Sequence, residues 1–285
     1  MKSIVIIIDY FGKLPEWFHL YLESCRHNPT IDWLIHTDDR TQYDLPPNVT
    51  LEYMSWDEYK DMIRTKLGIT FWPRNTYKIC DLKPTYGFLY KDKIHEYDFF
   101  GFGDIDLVYG DIRHFYTDQI LSDYDILSVH GWGLSGPLCL LKNEPWAVNA
   151  FARIPGWKDF FSIIDCVRFD EDFFWRAFTG PDGDYYGRIY LKEQYITPLV
   201  HGLWEDSDQV THDDTWYWKD GIVTSPKNHD RQFICMHFMN YVSARYMDPR
   251  YGTVAPWCNI VSLVNVSADQ AQFGFSIGLR GFNIL

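Results

Sequence analysis

Five consecutive β-branched residues, Ile4-Val5-Ile6-Ile7-Ile8, stand near the start of this 285-residue chain. Side chains branched at Cβ are stiff at χ1 and suit a pleated strand better than a helix. A run without polar alternation is the pattern of a strand covered on both faces. The following segments alternate as such a sheet requires. Leu14 to Cys25 reads as a helix with Trp17, Leu20, Tyr21 and Ser24 on one face. Asp32 to His36 and Val49 to Tyr53 read as strands, and Trp56 to Leu67 reads as a helix opened by Ser55, with Glu58 completing a capping box. The alternation predicts an α/β fold with a mostly parallel, doubly wound sheet flanked by helices. The first apolar run is too short for a signal peptide or a membrane span, and no other segment is apolar over the roughly 18 residues a span needs.

The composition narrows the partners. Apolar residues make up 46% of the chain, ample for a core, and aromatic residues 18%, which suits sugar stacking and core filling alike. The net charge of −13 argues against nucleic acid, because phosphate contacts need clustered Lys and Arg. The six cysteines, Cys25, Cys80, Cys139, Cys166, Cys235 and Cys258, include no Cys-x-x-Cys pair. That argues against structural zinc and reads as buried free thiols in a reducing, cytoplasmic setting.

Chemistry concentrates after a second apolar run. Phe99-Phe100-Gly101-Phe102-Gly103 leads into Asp104-Ile105-Asp106, and Gly110-Asp111 follows. Ligands of open α/β sheets bind beyond the carboxyl ends of strands. Two hard carboxylates there suit Mg²⁺ or Mn²⁺, which hold phosphate oxygens in their other positions. The flanking glycines leave room for close approach of backbone and ligand. A solvated loop or a helix cap is the alternative for Asp-x-Asp taken alone. An acidic protein handling a nucleotide diphosphate needs such a cation to offset repulsion.

Three further segments carry candidate groups. Thr76 to Tyr90 holds apolar residues at helical spacing. Pro84 must then lie in a first turn, with Asp81 as its cap, which brings Lys78 and Lys83 near a phosphate or leaves them on a solvated face. In Phe169-Asp170-Glu171-Asp172, Asp170 reads as a helix N-cap or, with Glu171, as the base that takes a proton from an attacking hydroxyl. His237, in the apolar run Phe233 to Tyr241, is a core residue or a third ligand for Mn²⁺. Ile112 to Leu121 reads as a helix, and Trp216 to Val223 as a hairpin with Asp220-Gly221 at its turn. Phe273, Phe275, Ile277 and Leu279 alternate as a strand or a docking segment.

Taken as a set, Lys78 to Gly87 (Lys-x-x-Asp-Leu-Lys-Pro-x-x-Gly), Gly103 to Ile112 (Gly-Asp-x-Asp-x-x-x-Gly-Asp-Ile), Ser135-Gly136, Phe169-Asp170-Glu171 and His237-Phe238 resemble GT-A-fold glycosyltransferases. They look most like the small, uncharacterised enzymes of bacterial or viral polysaccharide and lipopolysaccharide synthesis. The resemblance implies a GT-A-like domain over 1–245, with a nucleotide-sugar half to about 125, an acceptor half to 245 and an extension over 246–285. It implies Asp104, Asp106 and His237 as ligands of Mn²⁺ or Mg²⁺. Base and ribose would lie at Asp9, Tyr10 and Phe11, and the phosphates near Lys78, Asp81, Lys83, Asp104 and Arg245. The partners would be a nucleotide-sugar donor, UDP-linked by preference, and a glycan or glycolipid acceptor. Peripheral membrane association through the apolar tail stands against an intramolecular strand there. Competing readings are a metal-dependent nucleotidyltransferase or phosphohydrolase, which the single glycine of the Asp9 to Pro15 loop disfavours, and a non-catalytic carbohydrate-binding protein.

Overall fold

A computed structural model describes residues 1–130, 133–179, 188–191, 215–226, 231–238, 260–278 and 280–285. Its strands are β1 (Ile4–Tyr10), β2 (Ile31–Thr37), β3 (Val49–Tyr53), β4 (Phe99–Gly103), β5 (Leu107–Tyr109), β6 (Ile126–Ser128), β7 (Leu138–Lys142), β8 (Ile189–Leu191), β9 (Trp216–Lys219), β10 (Ile222–Thr224), β11 (Cys235–His237), β12 (Val264–Asn265), β13 (Phe275–Gly278) and β14 (Gly281–Ile284). The chain divides into two compact units. The first comprises Met1–Leu14, Thr30–Asp104 and Tyr116–Glu193; the second comprises Pro15–Pro29, Ile105–Phe115 and Gln194–Leu285.

The first unit is built on a seven-stranded sheet in the order β3-β2-β1-β4-β7-β6-β8. β1 pairs in parallel with β2 and β4, and β2 with β3. β7 alone is reversed, antiparallel to β4 and β6, and β8 runs parallel to β6. The architecture is thus the expected mixed, mostly parallel α/β fold. Ile4 to Ile8 are all buried, as a central strand covered on both faces must be. Val5 and Ile7 join Phe100, Phe102 and Leu141 in the core with Tyr59, Ile63 and Leu67, which recur every four residues on the helix Trp56–Leu67. The capping box forms: Ser55 Oγ accepts from the Glu58 N–H at 3.2 Å, and the Glu58 carboxylate accepts from the Ser55 N–H at 2.7 Å.

The second unit holds a five-stranded sheet, β10-β9-β13-β14-β12, and the pair β5–β11. β9 and β10 form the expected hairpin, with Asp220 (φ 51°) and Gly221 (φ 77°) supplying the two left-handed turn residues. Phe275 and Ile277 of the alternating segment point into a core with Trp216, Trp218 and Phe282, and their strand β13 is central in this sheet; Leu279 lies outside the described residues. The five described cysteines are free, and Cys258 also lies outside those residues. Among the described residues no helix is long and apolar enough to cross a membrane.

Three local expectations are corrected. The first helix begins at Phe18, not Leu14, because the Asp38 and Asp39 carboxylates take the N–H groups of Gly12 and Leu14 and Pro15 offers none. The helix expected over Ile112 to Leu121 is two short ones, Ile112–Phe115 and Asp118–Asp123, since Thr117 stops the chain and caps the second at Ile120 N–H. Thr76–Thr85 is a 3₁₀ segment with Pro84 inside it, capped by Asn75 rather than Asp81. The Asp81 carboxylate is drawn elsewhere, to the N–H groups of Val167 at 3.0 Å and Phe169 at 2.7 Å.

Candidate functional site

The turn Asp104-Ile105-Asp106 joins β4 to β5, and its backbone is gripped. Trp17 Nε1 donates to the Ile105 carbonyl at 3.0 Å, and the Phe238 N–H to the Asp106 carbonyl at 3.1 Å. β11 runs antiparallel to β5 with His237 opposite Leu107, which brings the imidazole beside Asp106, Nε2 to Oδ1 3.6 Å. Gly110 permits that pairing. Its N–H donates to the Ile234 carbonyl at 2.8 Å, and a Cβ at this position would collide with the Phe233 carbonyl oxygen. This glycine admits a strand rather than a ligand.

Asp104 precedes Asp106 by two residues, so chain connectivity alone keeps their carboxylates near one another. Within the second unit Asp106 and His237 stand side by side, and Asp104 closes the first unit two residues before Asp106. Donors to one Mg²⁺ or Mn²⁺ ion, each about 2.1 Å from it, stand at most about 4.2 Å apart, and the 3.6 Å between Asp106 Oδ1 and His237 Nε2 falls within that limit. Two carboxylates and an imidazole form a donor set that fits such an ion.

In the first unit Asp104 meets a second group of charges. Lys83 Nζ donates to Asp104 Oδ1 and, at 3.0 Å, to the Gly136 carbonyl, and it lies 3.8 Å from Asp170 Oδ2. Burial works against the Lys83 charge, but Asp104, Cys80 and Asp170 outweigh it and hold the ammonium well above its usual range. Burial foremost, then the charges of Glu171, Asp104 and Asp81, raise the Asp170 carboxyl, with Lys83 opposing. Neighbouring Glu171 goes the other way. Burial pushes it up, but the neighbouring His130 and the charges of Arg168 and Lys83 hold it below the usual carboxylate range. Asp170 and Glu171 sit in a single π turn, Phe169–Phe173. Arg168 fills the cap position in left-handed backbone (φ 57°), so Asp170 is not the N-cap the sequence suggested.

The other sequence candidates divide. Lys78 and Asp81 are almost fully buried and paired at 2.7 Å, and Lys78 also donates to the carbonyls of Phe160 and Asp165. They bind the 3₁₀ segment to the stretch that carries Asp170. Asp9 and Tyr10 lie within β1 rather than in the loop after it. Asp9 is buried and accepts from His36 Nδ1 and Tyr90 Oη, both at 2.8 Å, while Phe11 packs in the core against Trp56 and Tyr59. Tyr10 is half-buried. Arg245 lies outside the described residues. Sequence reasoning passed over His130 and Arg168, both beside Glu171. His130 stands just past the carboxyl end of β6, the kind of position that singled out Asp104; the backbone of Arg168 gives no sequence signal.

Residues 6–248 match a family of unknown function (DUF6625), and the chain belongs to that family. No curated protein matches the chain. Similar solved structures include an active-site mutant of LgtC, at 11% identity and TM-score 0.46 over 94% of this chain and 93% of that one. Galactosyltransferase LgtC with donor and acceptor sugar analogs gives 11% identity and TM-score 0.45 over 91% and 97%. The apo form of mouse xyloside xylosyltransferase 1 gives 10% identity and TM-score 0.41 over 73% and 90%. With TM-scores below 0.5 and identities near 10%, neither the fold nor any residue role of this chain rests on these likenesses.

Proposed function

We propose that this protein is a metal-dependent glycosyltransferase that moves a sugar from a nucleotide-sugar donor, UDP-linked by preference, to a hydroxyl of a glycan or glycolipid acceptor. The observation that carries this reading is the pair of Asp106 and His237, 3.6 Å apart, with Asp104 two residues before Asp106 at the carboxyl end of β4. These three residues would hold Mn²⁺ or Mg²⁺, which when bound offsets the charge that builds on a leaving diphosphate. Lys83, already on Asp104, adds a buried positive charge beside the phosphates. Asp170 and Glu171 flank the reacting sugar carbon, and Arg245 is a further phosphate partner. Tyr10 is the member of the β1 end whose partly exposed ring would meet the base. Asp9, Phe11, Lys78 and Asp81 support these groups from behind.

The test is nucleotide release from a panel of UDP- and GDP-sugars with Mn²⁺ and then with EDTA, for the native chain and Asp106→Ala. Slow hydrolysis of one donor, lost on chelation and in the variant, is the expected outcome. No hydrolysis and no thermal shift with any nucleotide in the presence of metal would overturn the proposal. Pyrophosphate release from a nucleoside triphosphate and a sugar phosphate would establish a nucleotidyltransferase instead.

A further inference from the structure

We propose that Glu171 acts as a fixed anion facing the reacting sugar, and that His130, Gly136 and Arg168 are positioning residues that hold it there; this rests on the glycosyl-transfer reading. Both Glu171 oxygens are engaged. Oε2 accepts from Arg168 Nη2 at 2.9 Å; Oε1 accepts from the Gly136 N–H at 3.3 Å and lies 3.9 Å from His130 Nε2. The three holders come from two separate stretches of chain, His130 with Gly136 on one and Arg168 on the other. The stretch of His130 and Gly136 is itself pinned by the buried Ser128 hydroxyl, which donates to the Gly133 carbonyl at 2.9 Å and accepts from the N–H groups of His130 at 3.2 Å and Ser135 at 2.9 Å.

Two further observations point the same way. A Cβ on Gly136 would stand 2.9 Å from both Glu171 Oε1 and Asp170 Oδ2, so only glycine lets the two carboxylates close on this backbone. Arg168 holds a left-handed conformation that a side chain disfavours, and such strain persists where the surroundings over-determine it. Asp170 is placed differently: it faces Lys83 at 3.8 Å, beyond hydrogen-bond reach.

The division assigns the electrons and the proton of the transfer. The bond from the anomeric carbon to the diphosphate oxygen breaks, and its electron pair leaves with the diphosphate. The acceptor oxygen forms the new bond to that carbon, and its proton passes to Asp170. Glu171 forms no bond. A carboxylate with a donor on each oxygen is a poor proton acceptor, and as an immobile anion it stabilises the oxocarbenium-like charge on the sugar.

Steady-state kinetics of the full Mn²⁺-loaded chain test this, together with the melting temperature of each variant. His130→Ala and Gly136→Ala should each lower kcat about a hundredfold, the effect of misplacing a group by about 1 Å, with the donor KM nearly unchanged. His130→Lys, which returns an N–H donor beside Oε1, should recover most of the loss, and Glu171→Gln should lose kcat although it still accepts from Gly136. If His130→Ala and Gly136→Ala lower the melting temperature but leave kcat within a factor of about two, the three residues are structural and the proposal fails while the transferase reading stands. If the native chain turns over no donor, both fail.

Discussion

Asp81→Asn is the sharpest test of how the site is built, because it changes one atom type in a fully enclosed pair. The Lys78 ammonium and the Asp81 carboxylate are 1% and 0% exposed and meet at 2.7 Å. Asp81 also accepts from the N–H groups of Val167 and Phe169, and Lys78 donates to the carbonyls of Phe160 and Asp165. An asparagine keeps the shape and one acceptor, but it removes the charge that neutralises Lys78 and turns an amide NH₂ toward groups that are themselves donors. Leaving a buried charge unpaired costs about 3–5 kcal/mol. At about 2–4 °C per kcal/mol for a unit of this size, the melting temperature should fall by roughly 6–20 °C. Thermal unfolding followed by far-UV circular dichroism reads this directly. Adding Lys78→Met removes the stranded charge, so the double variant should regain at least half of the loss. A shift of about 1 °C for Asp81→Asn, or a double variant no better than the single one, would refute the reasoning, since both results would mean that the pair is hydrated or dispensable.

Two further outcomes follow from the geometry. Gly110→Ala drives a methyl into the Phe233 carbonyl and opens β5 from β11; withdrawing His237 from Asp106 should weaken Mn²⁺ binding, measured by calorimetry, roughly tenfold or more, and an unchanged dissociation constant would rule out that coupling. The Asp39 carboxyl is brought down to about 2: burial pushes it up, but hydrogen bonds from the Thr41 hydroxyl and N–H, the Leu14 N–H and the Tyr43 hydroxyl outweigh that. A folded-state value below the unfolded one gives stability that is complete above about pH 4 and disappears as pH falls toward 2. Asp39→Asn should therefore cost about 1–2 kcal/mol at pH 7, discounted for partial exposure, and almost nothing near pH 2. Urea melts at the two pH values check this, and an equal difference at both would contradict it.

The framework of the first unit was legible because its signals are local. Ile4 to Ile8 carry their own strand preference, and Ser55 with Glu58 carries its own helix start, so neighbouring residues decide both. The misread segments are those where a distant group outbids the local one. Asp81 would cap a helix if nothing else needed it, but two backbone N–H groups more than 80 residues away claim its carboxylate. Leu14 would begin a helix, but Asp39 takes its N–H. Side-chain capture of backbone donors is non-local here, and no periodicity of the sequence encodes it.

The same distinction sorts the two lysines of Lys78-x-x-Asp81-x-Lys83, which look alike in sequence. Both are buried cations beside carboxylates. Lys78 is closed off by Asp81 and two carbonyls, a set that satisfies all three ammonium protons and leaves nothing for a ligand. Lys83 donates to one carbonyl and to Asp104, and Asp104 is partly exposed at 24%. A buried charge whose partner still reaches solvent can exchange that partner for an arriving phosphate or cation, whereas one whose partners are all interior cannot do so without unfolding its surroundings. The turn after β4 therefore owes its chemical potential less to having two aspartates than to how each is held: Asp104 by a lysine and Asp106 by a histidine, both on groups that lie along the chain well away from the motif itself.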